Sequence, residues 1–549
     1  MFVVFEGIDG GGKTTLSNRV AERLRASGLV VEHVREGGKF ASSVTQAMRE
    51  LGRDARNLAL TPRAELMLYL TREVQLVEEA TRPALARADV VIADRFVYTA
   101  EVLARYGRGL AEHEVAPLVA AATDLRPELV VLVDVDPQVA RARRRVAKLV
   151  AKDDRPPSRK GLAGTALQQR LRLGYRELAA RDSDRWIIVD NTDADLDALA
   201  ELLTTAVGHA RTHGARAART LIPSQDARRI DAATEPASAK AALLAWIDQR
   251  SVREPGLAAY FLDGVPGAEA ASRRAALAER APAVVAAGLR WLDDEAAWQL
   301  RHRLAELAPA DVASSLAGPA GHHRDAPALL QALAPRAPHA VADALWGRDD
   351  AVAWQLRDAL PRDAVMRSLG GVPGERGWTM RDAWLAERGG LAALESHVAA
   401  ATIACNSLAG LDDERAWQWR KALREVAPVA AVESTLGLAD ERSWKWRRRF
   451  VTRAPKTVMK TIVGLDDPRA WELRDQVAAH CEEAIDSMLG LDVEPAWELR
   501  ARALATWPAT AIKSLGLLGA TPRGRELIVA ALSRHPSDIA LWRQVTIRA

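Results

Sequence analysis

Apolar residues follow two regimes along the chain, and one gives way to the other near residue 240. In the first, short runs of β-branched and other apolar residues alternate with longer stretches at helical spacing. The runs at 2–6, 29–34, 90–93, 129–135 and 186–189 are apolar on both faces, which predicts parallel strands covered by helices on either side. Residues 16–26, 61–86 and 165–180 carry the helical spacing. That alternation predicts an α/β domain with a doubly wound parallel sheet, its ligands at the carboxyl ends of the strands.

In the second regime no strand pattern recurs and the chain repeats itself. A tetrad Trp-x-(Leu/Met/Trp)-Arg stands at Trp298, Trp354, Trp378, Trp417, Trp444, Trp471 and Trp497. The last four of these tryptophans are 27, 27 and 26 residues apart, and 56 separate Trp298 from Trp354, two periods with a degenerate unit between. An acidic turn such as Asp412-Asp413-Glu414 precedes most tetrads, and Ala-Pro opens the helix that follows, as at Ala427-Pro428. A fixed period of this length predicts stacked helical pairs, none able to bury its own face alone. The array resembles HEAT-like α-solenoids. Interior packing accounts for the Trp and Arg series, with each Arg one turn from its Trp, able to stack on it or bond a neighbouring acidic turn. A polar, arginine-bearing stretch with Gly214, Pro223 and Pro236 joins the regimes. The predicted division is an α/β domain over 1–205, a linker over 206–238 and an all-α solenoid over 239–549.

Composition narrows the class. The 549 residues suffice for two to four domains, and 48% hydrophobic with 27% charged content excludes a disordered chain. No apolar run reaches the roughly 18 residues of a membrane helix. A strand-like run starts directly after Met1, leaving no signal peptide. The two cysteines, Cys405 and Cys481, form no CxxC pair or metal-ligand cluster, so neither disulfide nor zinc is expected. The expectation is a reduced, cytoplasmic protein with no membrane span. A net charge of +4 and the many acidic turns argue against nucleic acid as a partner.

The chemistry is concentrated behind the first strand. Gly7-Ile8-Asp9-Gly10-Gly11-Gly12-Lys13-Thr14-Thr15 matches GxxxxGK[ST] and opens a helix. Glycines let backbone N–H groups wrap a polyphosphate, and the helix adds its positive end. Lys13 should reach the β- and γ-phosphates, the Thr14 hydroxyl should take a place on Mg²⁺, and Thr15 should support the loop or touch a phosphate. The strand at 90–93 ends in Asp94-Arg95, a carboxylate for Mg²⁺ and an arginine for a phosphate.

Phe5-Glu6-Gly7 through Thr15 resembles the thymidylate kinase signature, with an acidic residue inside the phosphate loop. Arg35-Glu36-Gly37-Gly38, Asp94-Arg95-Phe96 with Thr99, Gly107-Arg108-Gly109, Asp134 with Asp136-Pro137, and Tyr175-Arg176-Glu177 resemble that family's later motifs, in order over about residues 1–205. The resemblance implies transfer of the ATP γ-phosphoryl group to a nucleoside monophosphate, dTMP by default. It implies that Lys13 and Thr14 hold the donor and the metal, and that Asp9 orders acceptor and metal. Arg95 would hold the acceptor phosphate, Arg72 would lie beside the acceptor, and Arg35 and Glu36 would border its pocket. Residues 141–160 hold nine basic and two acidic residues, where the family carries its lid; Arg143, Arg144 and Arg145 are its candidate arginines. A homodimer through the kinase part is also in keeping with the family. Three acceptor-side positions depart from the pattern. No Pro follows Glu36, Leu68 stands where an aromatic stacks on thymine, and Leu103 stands where Tyr or Gln helps select the deoxynucleotide. They leave the acceptor base open. A second reading also stands, a nucleotide-binding regulatory or scaffold protein whose solenoid holds a protein partner with little or no kinase turnover.

Overall fold

The computed structural model describes residues 1–35, 42–54, 60–151, 164–222 and 233–548, with the backbone alone for Arg35 and Arg53. The chain folds as two compact units, Met1–Arg144 with Ala163–Arg229, and Arg145–Leu162 with Ile230–Ala549.

In the first unit the strands are β1 (Phe2–Glu6), β2 (Val31–Arg35), β3 (Val90–Asp94), β4 (Leu129–Asp134) and β5 (Trp186–Asp190). They form one parallel sheet in the order β2-β3-β1-β4-β5. β1, β3 and β4 are buried throughout, which is why their sequences carry no polar alternation. The run at 29–34 becomes a strand only from Val31. Leu29 instead closes helix α1 (Lys13–Ala26), its N–H donating to the Leu24 carbonyl at 3.3 Å around Gly28 at φ 92°.

Helix α2 (Ser43–Arg53) is capped by the Ser42 hydroxyl, and α3 (Pro62–Leu76) by Thr61 with Pro62 in its first turn. The helical pattern at 61–86 is interrupted by a wide turn, Val77–Thr81, before α4 (Arg82–Leu85). Pro83 has no N–H to give residue 79, and the wider turn relieves the clash of its ring. α5 (Val97–Val102) ends in a second wide turn, Leu103–Gly107, which carries Leu103. Then follow α6 (Glu112–Ala122), α7 (Pro137–Ala151), α8 (Thr165–Arg181), α9 (Leu196–His213) and α10 (Ala215–Arg219). α9 packs on α1 and on α10, burying Leu199, Leu203 and Val207 against the sheet. Register brings the functional ends together: Asp94 lies beside Phe5 on one side and Arg35 on the other.

The second unit is helical. Short helices led by proline, among them Pro282–Ala287, Pro428–Glu433, Pro455–Thr461 and Pro508–Ser514, alternate with helices that carry the tryptophans. Each proline-led helix packs on its equivalent in the next unit. The row does not end open. Ile539–Arg548 packs on both Pro508–Ser514 and Pro236–Arg253, and the latter packs on Pro255–Phe261. Arg543 locks the closure, donating to the Asp263 carbonyl at 3.0 Å and its carboxylate at 2.6 Å. The stack of helical pairs is thus a closed ring, which leaves neither end of the row in need of a polar cap.

The tetrad explains the period. Trp298, Trp354, Trp471 and Trp497 each donate an indole N–H to the first aspartate of the preceding turn, at 2.7–2.8 Å. For the first three the following aspartate caps the tryptophan helix, as Asp294 does for the Ala297 N–H at 2.9 Å, whereas Val493 stands there before Trp497. The tetrad arginines stack on their tryptophans and, as Arg447 and Arg474 show, donate to the backbone of the turns rather than to their carboxylates. Arg447 donates to the Thr435 and Leu438 carbonyls at 2.7 and 2.6 Å, and to the Thr461 hydroxyl at 3.0 Å. Arg474 repeats this with Ile462, Leu465 and Ser487. The Arg447 guanidinium therefore sits between the carbonyl ends of two successive proline-led helices, Pro428–Glu433 and Pro455–Thr461, where the helix dipoles favour a cation.

Candidate active site

The loop after β1 turns back under α1. Gly10 and Gly12 adopt φ 85° and 86°, where a side chain would be strained. Neither has room for one: a Cβ would stand 2.4 Å from the Ala140 carbonyl oxygen at Gly10, and 2.5 Å from Asn191 Nδ2 at Gly12. Asn191 donates to the Gly11 carbonyl at 2.8 Å, so the turn after β5 holds the loop from outside. Lys13, in the first turn of α1, is buried and its Nζ donates to the Ile8 carbonyl at 2.8 Å. Burial and the nearby Arg95 push its ammonium down to about 8, against the pull of Asp9, Asp94 and Glu6. The Thr14 hydroxyl donates to the Asp94 carboxylate at 2.5 Å, joining the loop to the end of β3, while Thr15 is exposed.

Arg95 faces the loop. It is the residue with φ 83° among the described non-glycine residues, a strain of about 1–3 kcal/mol that only a rigid surrounding sustains. Its Nη2 pairs with the Asp9 carboxylate, and its Nη1 donates to the Thr99 hydroxyl at 3.1 Å and the Gly7 carbonyl at 3.4 Å. Burial alone would lower this guanidinium; Asp9, Tyr175, Glu6 and Asp94 more than reverse that, so it stays charged. The Asp9 N–H is held by Gln168 Oε1 at 3.1 Å.

On α3, Arg72 is buried with its guanidinium 4.7 Å from the centre of the Tyr69 ring, and Leu68 is half-buried. The backbone of Arg35 lies at the end of β2 beside Asp94. Glu36 lies outside the described residues, as do the basic positions 152–160 of the expected lid. The three lid arginines on α7 differ. Arg143 donates to the Asn191 carbonyl at 2.8 Å. Arg144 runs alongside Gly10, where burial lowers its guanidinium while Asp9 pulls it up, and Arg145 is exposed.

Sequence reasoning assigned no role to Glu6, Thr99, Gln168, Tyr175 or Asn191, all of which touch this constellation. Glu6 carried a signal, a carboxylate at the end of an otherwise apolar strand. Gln168 and Asn191 carried none, being more than 150 residues from the atoms they hold.

A family model described as thymidylate kinase matches residues 5–201. The thymidylate kinase of Solidesulfovibrio magneticus is 37% identical over 210 residues, 38% of this chain and 99% of the relative. That of Geobacter sulfurreducens is 34% identical over 210 residues, covering 38% of the chain and 97% of the relative. The chain belongs to the thymidylate kinase family. It is accordingly an ATP-dependent phosphotransferase of the thymidylate kinase type. A crystal structure of thymidylate kinase from Ehrlichia chaffeensis is 22% identical, spans 38% of this chain and 98% of that one, and has a TM-score of 0.29. The ring lies beyond the stretch that the family model matches. No described helix is long and apolar enough to cross a membrane, and the described residues form no cluster of three or more His, Cys, Asp or Glu that could hold a metal.

Proposed function

We propose that residues 1–205 form a cytoplasmic kinase that transfers the γ-phosphoryl group of ATP to a nucleoside monophosphate, with dTMP the first acceptor to test. The observation that carries this reading is the facing pair of cationic groups: Lys13 inside the phosphate loop, and Arg95 with Asp9 across from it. Phosphoryl transfer asks a protein for alignment and charge neutralisation more than for covalent chemistry. Gly7, Gly10, Gly11 and Gly12 would wrap the donor phosphates, with Lys13 on the β- and γ-oxygens. Thr14 and Asp94 offer adjoining hydroxyl and carboxylate oxygens, a donor set that suits Mg²⁺. When bound, Mg²⁺ neutralises charge on the β- and γ-phosphates. Arg95 would exchange its Asp9 partner for the acceptor phosphate, Asp9 would order the acceptor, and Arg72 would lie beside it. Arg35 and Glu36 would border the acceptor, and Arg144 is the lid arginine whose place alongside Gly10 best supports a role over the phosphates.

The test is ADP formation across the common nucleoside monophosphates. ADP should appear only with a suitable acceptor; equal release with and without every acceptor would refute the kinase reading. Leu68→Phe should restore a ring for thymine. Stacking of a base on an aromatic ring contributes about 1–3 kcal/mol, so the KM for dTMP should fall about fivefold or more. An unchanged KM for dTMP would place the base elsewhere.

The ring supports a second role, as a surface for a protein partner. A homodimer through the kinase unit is part of the same proposal, read out by sedimentation. Partner capture that depends on bound ATP, without turnover, would favour the scaffold reading over the kinase.

A further inference from the structure

The strained turn at Arg95 is held by side chains that neither donor nor acceptor needs to touch. Glu6, at the end of β1, is fully buried, and both its oxygens are used: Oε1 accepts the Phe96 N–H at 2.9 Å, and Oε2 accepts the Thr99 hydroxyl at 2.8 Å. Burial raises the Glu6 carboxyl, against the pull of Arg95, the Thr99 hydroxyl, the Phe96 N–H and Lys13; as a carboxylate it only accepts, which commits the single Thr99 proton to it. With Glu6 ionised, the Thr99···Tyr175 contact at 3.0 Å is a bond that Tyr175 donates. Thr99 Oγ1 has two lone pairs, and it accepts from Tyr175 with one and from Arg95 Nη1, at 3.1 Å, with the other. Thr99 Oγ1 is then fully used, and the Tyr175 hydroxyl in turn lies 3.5 Å from Arg95 Nη1. Tyr175 is itself buried, on α8, so the network spans β1, the start of α5 and α8.

We propose that Glu6, Thr99 and Tyr175 are positioning residues that hold Arg95 in its left-handed turn and aim its guanidinium at the acceptor phosphate. The inference rests on the reading of Arg95 as the acceptor-phosphate residue. Two anchors place the backbone on either side of the strained residue: the Arg95 N–H donates to the Phe5 carbonyl at 3.0 Å, and the Phe96 N–H donates to Glu6. Thr99 then fixes the side chain. Loss of the hydroxyl would leave Nη1 only its longer contacts, to the Gly7 carbonyl at 3.4 Å and the Tyr175 hydroxyl at 3.5 Å, while Nη2 keeps its Asp9 partner, turning the fork away from a bidentate approach to phosphate.

The prediction separates a positioning role from a packing role. Thr99→Val keeps the shape and removes the hydroxyl. It should raise the KM for the acceptor on the order of tenfold, the scale of one hydrogen bond to a charged group. The KM for ATP and the melting temperature should stay close to those of the parent. Thr99→Ser keeps the hydroxyl and should return the acceptor KM to near the parent value. Glu6→Gln, nearly isosteric, should mimic Thr99→Val, and the double variant should be little worse than either, because the two act through one bond. Equal behaviour of Thr99→Val and Thr99→Ser would overturn the proposal, as would a loss spread over both KM values in step with a lower melting temperature. If the parent forms no ADP with any acceptor, the kinase reading fails first. In that case a Thr99→Val protein with an unchanged affinity for the monophosphate alone, read by calorimetry, would overturn the positioning role as well.

Discussion

Lys13→Met is expected to lower acceptor-dependent ADP formation by roughly 10²–10³, the usual effect of removing one preorganised stabiliser of transferring charge. Methionine keeps the apolar stem that the buried lysine contributes, so the fold should persist. A second signature distinguishes loss of charge from loss of shape. With no nucleotide bound, the ammonium is held down to about 8 by burial, with Arg95 adding to the effect. A polyphosphate favours the protonated form. Below pH 8 it meets a lysine that already carries its proton; above pH 8, binding must take one up. ATP affinity in the parent should therefore weaken as pH rises from 8 to 9, by up to about tenfold per unit. In Lys13→Met the affinity should be low and nearly level over that range. Titration calorimetry in two buffers of different ionisation heat would read the proton uptake directly. The same slope in both proteins would mean that Lys13 does not face the phosphates.

Local chemistry made some of this site readable and distance hid the rest. The phosphate loop is a contiguous nonapeptide whose function depends on backbone N–H groups, so its glycines and Lys13 announce themselves. Asp94-Arg95 could be placed because they close an apolar strand run, and a doubly wound sheet meets its ligands at the carboxyl ends of its strands; register sets Asp94 beside Phe5. What holds those residues was not readable. Gln168 supports Asp9, and Asn191 supports Gly11, through bonds that exist only once α8 and the turn after β5 are in place. Arg143 looked like one of three equivalent lid cations, yet it is committed to the Asn191 carbonyl. The helical pattern at 61–86 concealed a wide turn because apolar spacing is nearly the same in both geometries, and only Pro83 hinted at the break. The ring shows the same division. Its period was plain in the tryptophans, whereas its closure, by Ile539–Arg548 packing on Pro236–Arg253 with Arg543 meeting Asp263, lies outside the tetrads.

The tetrad arginines should dominate the stability of that ring, which runs against the usual expectation for charge on a helical-repeat surface. Arg447 and Arg448 are neighbours on one helix, Glu441–Phe450. Arg448 is exposed and pairs with Glu441 at 3.3 Å; its replacement by Ala should change stability by no more than about 0.5 kcal/mol. Arg447 is fully buried, and burial lowers its guanidinium to about 10, which leaves it charged at neutral pH. It reaches the carbonyls of Thr435, Leu438 and Thr461, the Thr461 and Ser443 hydroxyls, and the face of Trp444 at 4.6 Å. Arg447→Ala takes the charged donor from those carbonyls, leaving Thr435 the Leu438 N–H at 3.1 Å, Thr461 the Gly437 N–H at 3.3 Å and Leu438 the Ser443 hydroxyl at 3.3 Å, and it opens a cavity beside Trp444. The expected cost is about 3–5 kcal/mol, from lost hydrogen bonds to a charged group together with the cavity left by a large buried side chain. Lysine should not rescue it, because one ammonium cannot serve two helix ends at once as the planar fork does. Urea unfolding of the full chain, followed by tryptophan fluorescence, measures all three, since fifteen of the sixteen tryptophans follow residue 240. If Arg447→Ala melted with Arg448→Ala, the guanidiniums would be passengers in a ring held by its apolar contacts. If Arg447→Lys matched the parent, charge at the helix ends would suffice and the fork geometry would be incidental.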